Sequence, residues 1–290
     1  MFESLSPKET NLYFQNQLSE TTSLNILNYL YYYNGAGVAA GDFNNDGLVD
    51  LYFTANQSKD HLYLNIGGFK FKDITTAANI DNTSPWTTGV TTVDINNDGL
   101  LDIYVCKIGN YNTITGHNLL FVNNGIDKDG IPIFTEEAER YGLDLRSFST
   151  QSAFFDMDKD GDLDLFVLNH SLHPNSNYGK GDNRNRIDDI SGDKLLENIN
   201  GKFIDITSQS GIFQGKIGYG LGLSISDINN DGYPDIYVGN DFFENDYLYM
   251  NQQNNTFKEV ITSNISTLGH TSHYSMGNAI ADLNNNGLQD

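Results

Sequence analysis

Nine residues, Asp42-Phe43-Asn44-Asn45-Asp46-Gly47-Leu48-Val49-Asp50, carry oxygen donors at a spacing that suits a hard metal cation. Calcium takes six to eight oxygen ligands in flexible geometry, whereas magnesium demands a near-ideal octahedron and keeps its waters. Asp42, Asn44 and Asp46 place side-chain oxygens at alternate positions, so all three can turn towards one point. Gly47 supplies the backbone freedom for a sharp reversal, and the carbonyl of Leu48 with the carboxylate of Asp50 completes most of a shell. The same pattern, D-x-[DN]-x-[DN]-G-x-x-D, returns at Asp94–Asp102, Asp156–Asp164, Asp227–Asp235 and, with Asn286 at its fifth position, Asp282–Asp290. Asp, Asn and Gly favour turns without any metal, but turn chemistry alone does not call for the distal Asp each time.

An EF-hand begins with the same residues but requires a bidentate Glu at its twelfth position and a helix on either side. The twelfth residues here are Phe53, Val105, Val167 and Val238. Each of these four loops is followed by an alternating run of β-branched and aromatic residues, DLYFTA, DIYVCK, DLFVLN or DIYVGN, which has the period of a strand. The loop therefore joins two strands.

The elements around the loops repeat with them. Loop starts are separated by 52, 62, 71 and 55 residues. Before each loop comes a small-residue or apolar segment such as GAGVAAGDF or TTGVTTVDI; after the following strand come HLYLNIG, NLLFVNNG, KLLENING and YLYMNQQ, and then FKFKDIT, PIFTEEA, GKFIDIT and NTFKEVI. Four short strands per repeat, at a period of several tens of residues, specify an all-β fold built of four-stranded β-propeller blades, with the loop between the first and second strands. The expected blades cover about 36–75, 86–136, 149–207 and 218–261, with a fifth begun at about 273, together forming a propeller region over 34–290. Small residues from Gly35 to Gly41 suit the crowded innermost strand, and helix is limited to turns near Thr75–Asn79 and Thr135–Tyr141. Residues 1–33 form an N-terminal strand or cap segment, with NLYFQNQL read as a strand. The broken fifth repeat predicts part of a longer, seven-bladed ring.

Composition narrows the function. The net charge is −22, yet sixteen of the 38 acidic residues lie in the five loops, and one Ca²⁺ per loop would bring the charge to −12. The acidity is thus ligand stock, and it argues against nucleic acid, which requires a positive footprint. No apolar run approaches the roughly 18 residues of a membrane span. The single cysteine, Cys106, sits inside a strand and excludes a disulfide framework. Weak, open calcium loops suit the millimolar calcium of an extracellular, cell-surface or periplasmic setting. MFESLSPKETNLYF has neither the basic nor the apolar region of a signal peptide, so an exported chain would have lost its signal.

These loops, with the LYLN and F-x-D-I-T landmarks, resemble the FG-GAP or VCBS repeat proteins, whose blades form the integrin alpha-chain head. The resemblance covers about residues 30–290. GVAAGDFNNDGLVDLYFTAN is similar to the cartilage-acidic-protein type, large secreted proteins common in bacteria that often carry an ASPIC/UnbV segment; this chain has no such segment. The resemblance implies a seven-bladed calcium-binding propeller. It also implies side-chain ligands at positions one, three, five and nine of each loop and a carbonyl at position seven. These are Asp42, Asn44, Asp46, Leu48 and Asp50; Asp94, Asn96, Asp98, Leu100 and Asp102; and Asp156, Asp158, Asp160, Asp162 and Asp164. The fourth and fifth sets are Asp227, Asn229, Asp231, Tyr233 and Asp235, then Asp282, Asn284, Asn286, Leu288 and Asp290, the last weakened by Asn286.

The ions would be structural, since no nucleophile stands beside a base and no G-x-S-x-G, H-E-x-x-H or Walker loop occurs. The expected function is a calcium-stabilised, non-enzymatic scaffold that binds a protein or carbohydrate ligand. The alternative is a polysaccharide-active lyase or hydrolase domain on the same propeller. Three further features stand out: the polar insertion His170–Asp193, the pair His270 and His273, and Trp86, read as packing between blades or as a sugar platform.

Overall fold

A computed structural model describes residues 3–80, 85–172, 179–262, 271 and 273–290. Sixteen strands among them form four sheets, each antiparallel and each in chain order. The first contains β1 (Val38–Gly41), β2 (Asp50–Phe53), β3 (His61–Asn65) and β4 (Phe71–Asp73). The second contains β5 (Thr87–Val93), β6 (Asp102–Lys107), β7 (Leu119–Ile126) and β8 (Pro132–Glu136). The third contains β9 (Ser149–Phe155), β10 (Asp164–Asn169), β11 (Lys194–Ile199) and β12 (Lys202–Asp205). The fourth contains β13 (Gly220–Ser226), β14 (Asp235–Asn240), β15 (Tyr247–Asn251) and β16 (Phe257–Glu259). These are propeller-type blades, and the fold is all-β.

The chain divides into two compact units, 1–146 and 147–290. In the first, apolar faces of two blades close on one core containing Phe43, Tyr52, Leu62, Ile103, Phe121 and Phe134. In the second, Phe155, Met157, Phe166, Leu195, Ile236 and Tyr249 do the same. A four-stranded sheet of three- to eight-residue strands buries too little alone, so blade-on-blade packing is what holds each unit together. The small residues of the inner strands permit this approach: a Cβ on Gly37 would lie 2.8 Å from the carbonyl oxygen of Thr88 in the next blade.

A second device recurs at the far end of each blade. The residue before strand three or at its approach, Asp60, Asn118, Asp193 or Asp246, accepts the amide N–H near the end of strand two, from Ala55, Lys107, Asn169 or Asn240, at 2.8–2.9 Å. In blades one and four a strand-two tyrosine completes the bracket, Tyr52 Oη donating to Asp60 and Tyr237 Oη to Asp246, each at 2.9 Å. In blade two Asn118 donates to Tyr104 Oη at 3.0 Å. Blade three has Phe166 at this position and so lacks the hydroxyl.

The N-terminal segment departs from expectation. Residues 11–18 form no strand, although their side chains alternate between exposed and half-buried as a strand's would. Phe14 stacks on Phe53 at 4.9 Å, and Asn16 Nδ2 donates to Asn56 Oδ1 at 2.7 Å. The alternation thus reflects side chains laid against blade one, without the backbone ladder that defines a strand. Residues 25–34 turn back so that Tyr29, Tyr31 and Tyr32 are buried. Likewise residues 273–280 form no strand; Ser275 N–H donates to Asn240 O and Ser224 Oγ to Asn278 Oδ1. Among the described residues helix is confined to short turns: α1 (Pro7–Thr10), closed by a Ser6/Glu9 capping box, α2 (Ala138–Tyr141), α3 (Thr207–Ser210) and a 3₁₀ turn at Gly181–Asn185.

Candidate metal centre

The acidic loops occupy the β1–β2, β5–β6, β9–β10 and β13–β14 connections, with the fifth at 282–290. In the first, Asp42 accepts the amides of Asp46 and Gly47 on its two oxygens, at 3.0 and 2.8 Å. Asn44 Oδ1 also accepts from Asp46 N–H, and Asp46 Oδ1 accepts from Leu48 N–H at 2.8 Å. Asn44 Nδ2 donates to Asp46 Oδ2 at 3.0 Å. Loops two and four repeat the whole set around Asp94 and Asp227. In the fifth, Asp282 accepts from Asn286 and Gly287, and Asn286 Oδ1 from Leu288 N–H.

Two residues per loop stand in the left-handed region. Position six is always Gly, at φ +86, +84, +97, +89 and +82°. Position four is Asn45, Asn97, Lys159, Asn230 or Asn285, at φ between +55 and +66°. Asn tolerates this region better than other side chains, which explains its presence at a position outside the expected ligand set. Sequence reasoning identified the glycine and missed this second reversal, whose signal was the repeated Asn.

The ninth-position aspartates serve the fold directly. Asp50, Asp102, Asp164 and Asp235 are buried at the start of strand two. One oxygen accepts the amide of loop position two, Phe43, Ile95, Met157 or Ile228, at 2.9–3.1 Å. The other accepts the amide of Asn65, Asn123, Asn198 or Asn251 in strand three at 2.7–2.8 Å. Burial pushes Asp50 and Asp102 up to about 6 and Asp164 to about 7, with the neighbouring loop carboxylates adding to the rise against the amide bonds. Asp235 is raised for the same reason.

The asparagine of the LYLN landmark is a latch that sequence reasoning did not assign. Asn123 Nδ2 donates to Leu101 O and, across to the preceding blade, to Phe43 O at 2.8 Å. Asn251 does the same to Pro234 O and to Met157 O at 2.8 Å. The second residues of loops one and three are therefore tied to the strand-three end of the next blade within their unit.

The donor set fits a hard cation. It offers oxygen only, and each carboxylate keeps lone pairs beyond those its amide partners use. In loop three, oxygens of Asp156, Asp158 and Asp164 lie within 4.8 Å of one another, which suits a shared ion at ligand distances of roughly 2.3–2.6 Å. Loop three also departs from the rest. Asp158 replaces the amide that steadies position five in loops one, two and four, and Asp162 Oδ1 is buried without a hydrogen-bond partner. Burial and Asp160, Asp158 and Asp156 raise the Asp162 carboxyl. Lys159 Nζ lies 4.6 Å from the ring centre of Tyr233 in the fourth loop.

A family model described as FG-GAP-like repeat matches residues 42–105 and 227–290. The chain carries FG-GAP-like repeats. Each match runs from the first aspartate of one loop into or through the next, so these FG-GAP-like units are out of phase with the sheets. The third loop lies outside both. A curated relative, a T-cell immunomodulatory protein homolog from Plasmodium yoelii yoelii, is 24% identical over an alignment of 283 positions that covers 78% of this chain. The chain spans 38% of that relative's length. Among solved structures, a lectin from Agrocybe aegerita, studied for recognition of non-reducing terminal N-acetylglucosamine, matches at 17% identity with a TM-score of 0.39, over 76% of this chain and 50% of its own.

The other sequence features fall as follows. Trp86 is buried and packs against Tyr29 and Tyr32 of the N-terminal segment at 5.2 and 5.3 Å, so it is neither an open sugar platform nor a filler between blades alone. Of the His170–Asp193 insertion, residues 173–178 lie outside the described residues. The remainder is docked on blade four through Arg184, whose Nε and Nη2 donate to buried Glu244 at 2.5 and 3.1 Å. His273 is exposed, and His270 lies outside the described residues. Among the described residues no helix is long and apolar enough to cross a membrane.

Proposed function

We propose that the chain is a calcium-stabilised propeller-type scaffold that works outside the cytoplasm and binds a protein or carbohydrate ligand without catalysing a reaction on it. The observation that carries this reading is the convergence of Asp156, Asp158 and Asp164 oxygens in one loop of a repeated pattern. Positions one, three, five and nine of each loop would hold the ion, with the carbonyl of position seven. The ion would supply positive charge to carboxylates that otherwise repel one another, so binding adds to folding stability.

The loops sit at one end of each blade, away from the strand-two to strand-three connections, which leaves those connections for recognition. The FG-GAP-like repeats and the immunomodulatory relative support a binding role over an enzymatic one. Calorimetric titration with Ca²⁺ against EGTA, paired with thermal unfolding, tests the metal part. The expected result is several bound ions and a melting temperature that rises with calcium. No heat of binding and an unchanged melting temperature would reduce the loops to Asx-rich turns and sink the proposal.

A further inference from the structure

At the end of the first unit opposite its acidic loops lies an open cleft of about 680 Å³, within the range of small-ligand sites. Its walls are the N-terminal segment, the β2–β3 connection and the hairpin that carries Thr113. In a chain of net charge −22, none of the eleven lining residues is ionisable. Gln17, Ser19, Thr21, Ser58 and Thr113 are exposed hydroxyl and amide side chains around the rim, while Leu24, Ile114 and Trp86 are buried beneath.

The walls are held in place before any ligand arrives. Gln57 accepts the amide of Ser19 at 2.6 Å and donates to Tyr32 Oη at 3.2 Å, fixing the N-terminal segment to blade one. Tyr111 Oη donates to Asn28 O, tying down the Thr113 hairpin. Trp86 is clamped under Tyr29 and Tyr32. Such preorganisation reduces the ordering cost of binding.

We infer that this cleft is a binding site for a neutral saccharide. Neutral donors and acceptors, with half-buried Pro85 and the methyl groups of exposed Thr21 and Thr113 among them, match a ligand that presents hydroxyl groups at its edge and C–H groups on its face. A charged ligand would find no counter-charge there, and an apolar one would leave the rim unpaired. The inference rests on the binding-scaffold reading and deepens it by naming the ligand class.

Saturation-transfer NMR on the intact chain, with calcium present, tests it. The probes are the methyl glycosides of glucose, galactose, mannose and N-acetylglucosamine, with glucuronate as the anionic comparison. At least one neutral glycoside should receive saturation and glucuronate should not. Thr113→Val with Ser58→Ala, both at exposed positions, should cut that signal at least fivefold with the melting temperature unchanged. Absence of signal from every neutral glycoside would overturn the inference, as would equal signal from glucuronate or full retention in the double variant. The calcium titration stands apart from this result: ions bound without glycoside binding would refute the saccharide site and leave the scaffold reading intact.

Discussion

Replacing Asn123 by Ala should destabilise the protein far more than replacing Asn65, its counterpart in blade one. Asn123 is 1% exposed and makes three side-chain bonds: to Phe43 O, to Leu101 O and from Gly125 N–H. At about 1 kcal/mol net for each neutral hydrogen bond, their loss costs about 3 kcal/mol. The two carbonyls left behind lie in a packed region, which holds the figure at the upper end. Asn65 is half-exposed and makes two bonds, to Val49 O and from Gly67 N–H, both within its own blade. Water replaces them more readily, so Asn65→Ala should cost about 1 kcal/mol. Urea unfolding in EGTA measures both without any contribution from metal. In thermal scans the difference of about 2 kcal/mol corresponds to roughly 4–8 °C. Equal losses in the two variants would refute the argument, because they would show that the bond from Asn123 to Phe43 of the preceding blade contributes nothing.

Asp98→Asn should leave stability in EGTA within about 0.5 kcal/mol, as expected for an exposed position, while calorimetry in calcium should show one site weakened relative to wild type. Gly47→Ala meets no atom within 4 Å, so its cost is conformational; holding Ala in the left-handed region should lower the urea-derived stability by about 1–2 kcal/mol. Asp193 is buried, and burial pushes its carboxyl up to about 8 despite the amide of Asn169. A carboxyl raised in the fold contributes stability that is fully present below its unfolded value and is lost as pH rises through about 8. Asp193→Asn should therefore gain melting temperature relative to wild type between pH 5 and pH 9, and parallel pH profiles would contradict this. Asn118 already fills that position in blade two. Arg184→Ala leaves Glu244, 1% exposed, without its bidentate partner and should cost about 3 kcal/mol in urea. The double variant Arg184→Met, Glu244→Leu should cost less than that single change.

The sequence by itself determined whatever is closed within a few neighbouring residues. The nine-residue loops are local: Asp42 bonds the amides of Asp46 and Gly47, and the two left-handed residues are Asn45 and Gly47. Spacing and residue type are then sufficient. Strands and blade order were legible for a similar reason, because each strand pairs with the next in the chain. Tertiary structure decided the contacts whose two ends are far apart. The Asp50 carboxylate meets the amide of Asn65, and Asn123 reaches Phe43 eighty residues away. The period-two pattern of residues 11–18 was genuine, but only the position of blade one decided that those side chains would pack on Phe53 and Asn56 without a ladder. Trp86 was ambiguous until Tyr29 and Tyr32 folded over it. Residue types state what a side chain can bond; where the chain returns to the same point in space decides which partner it finds.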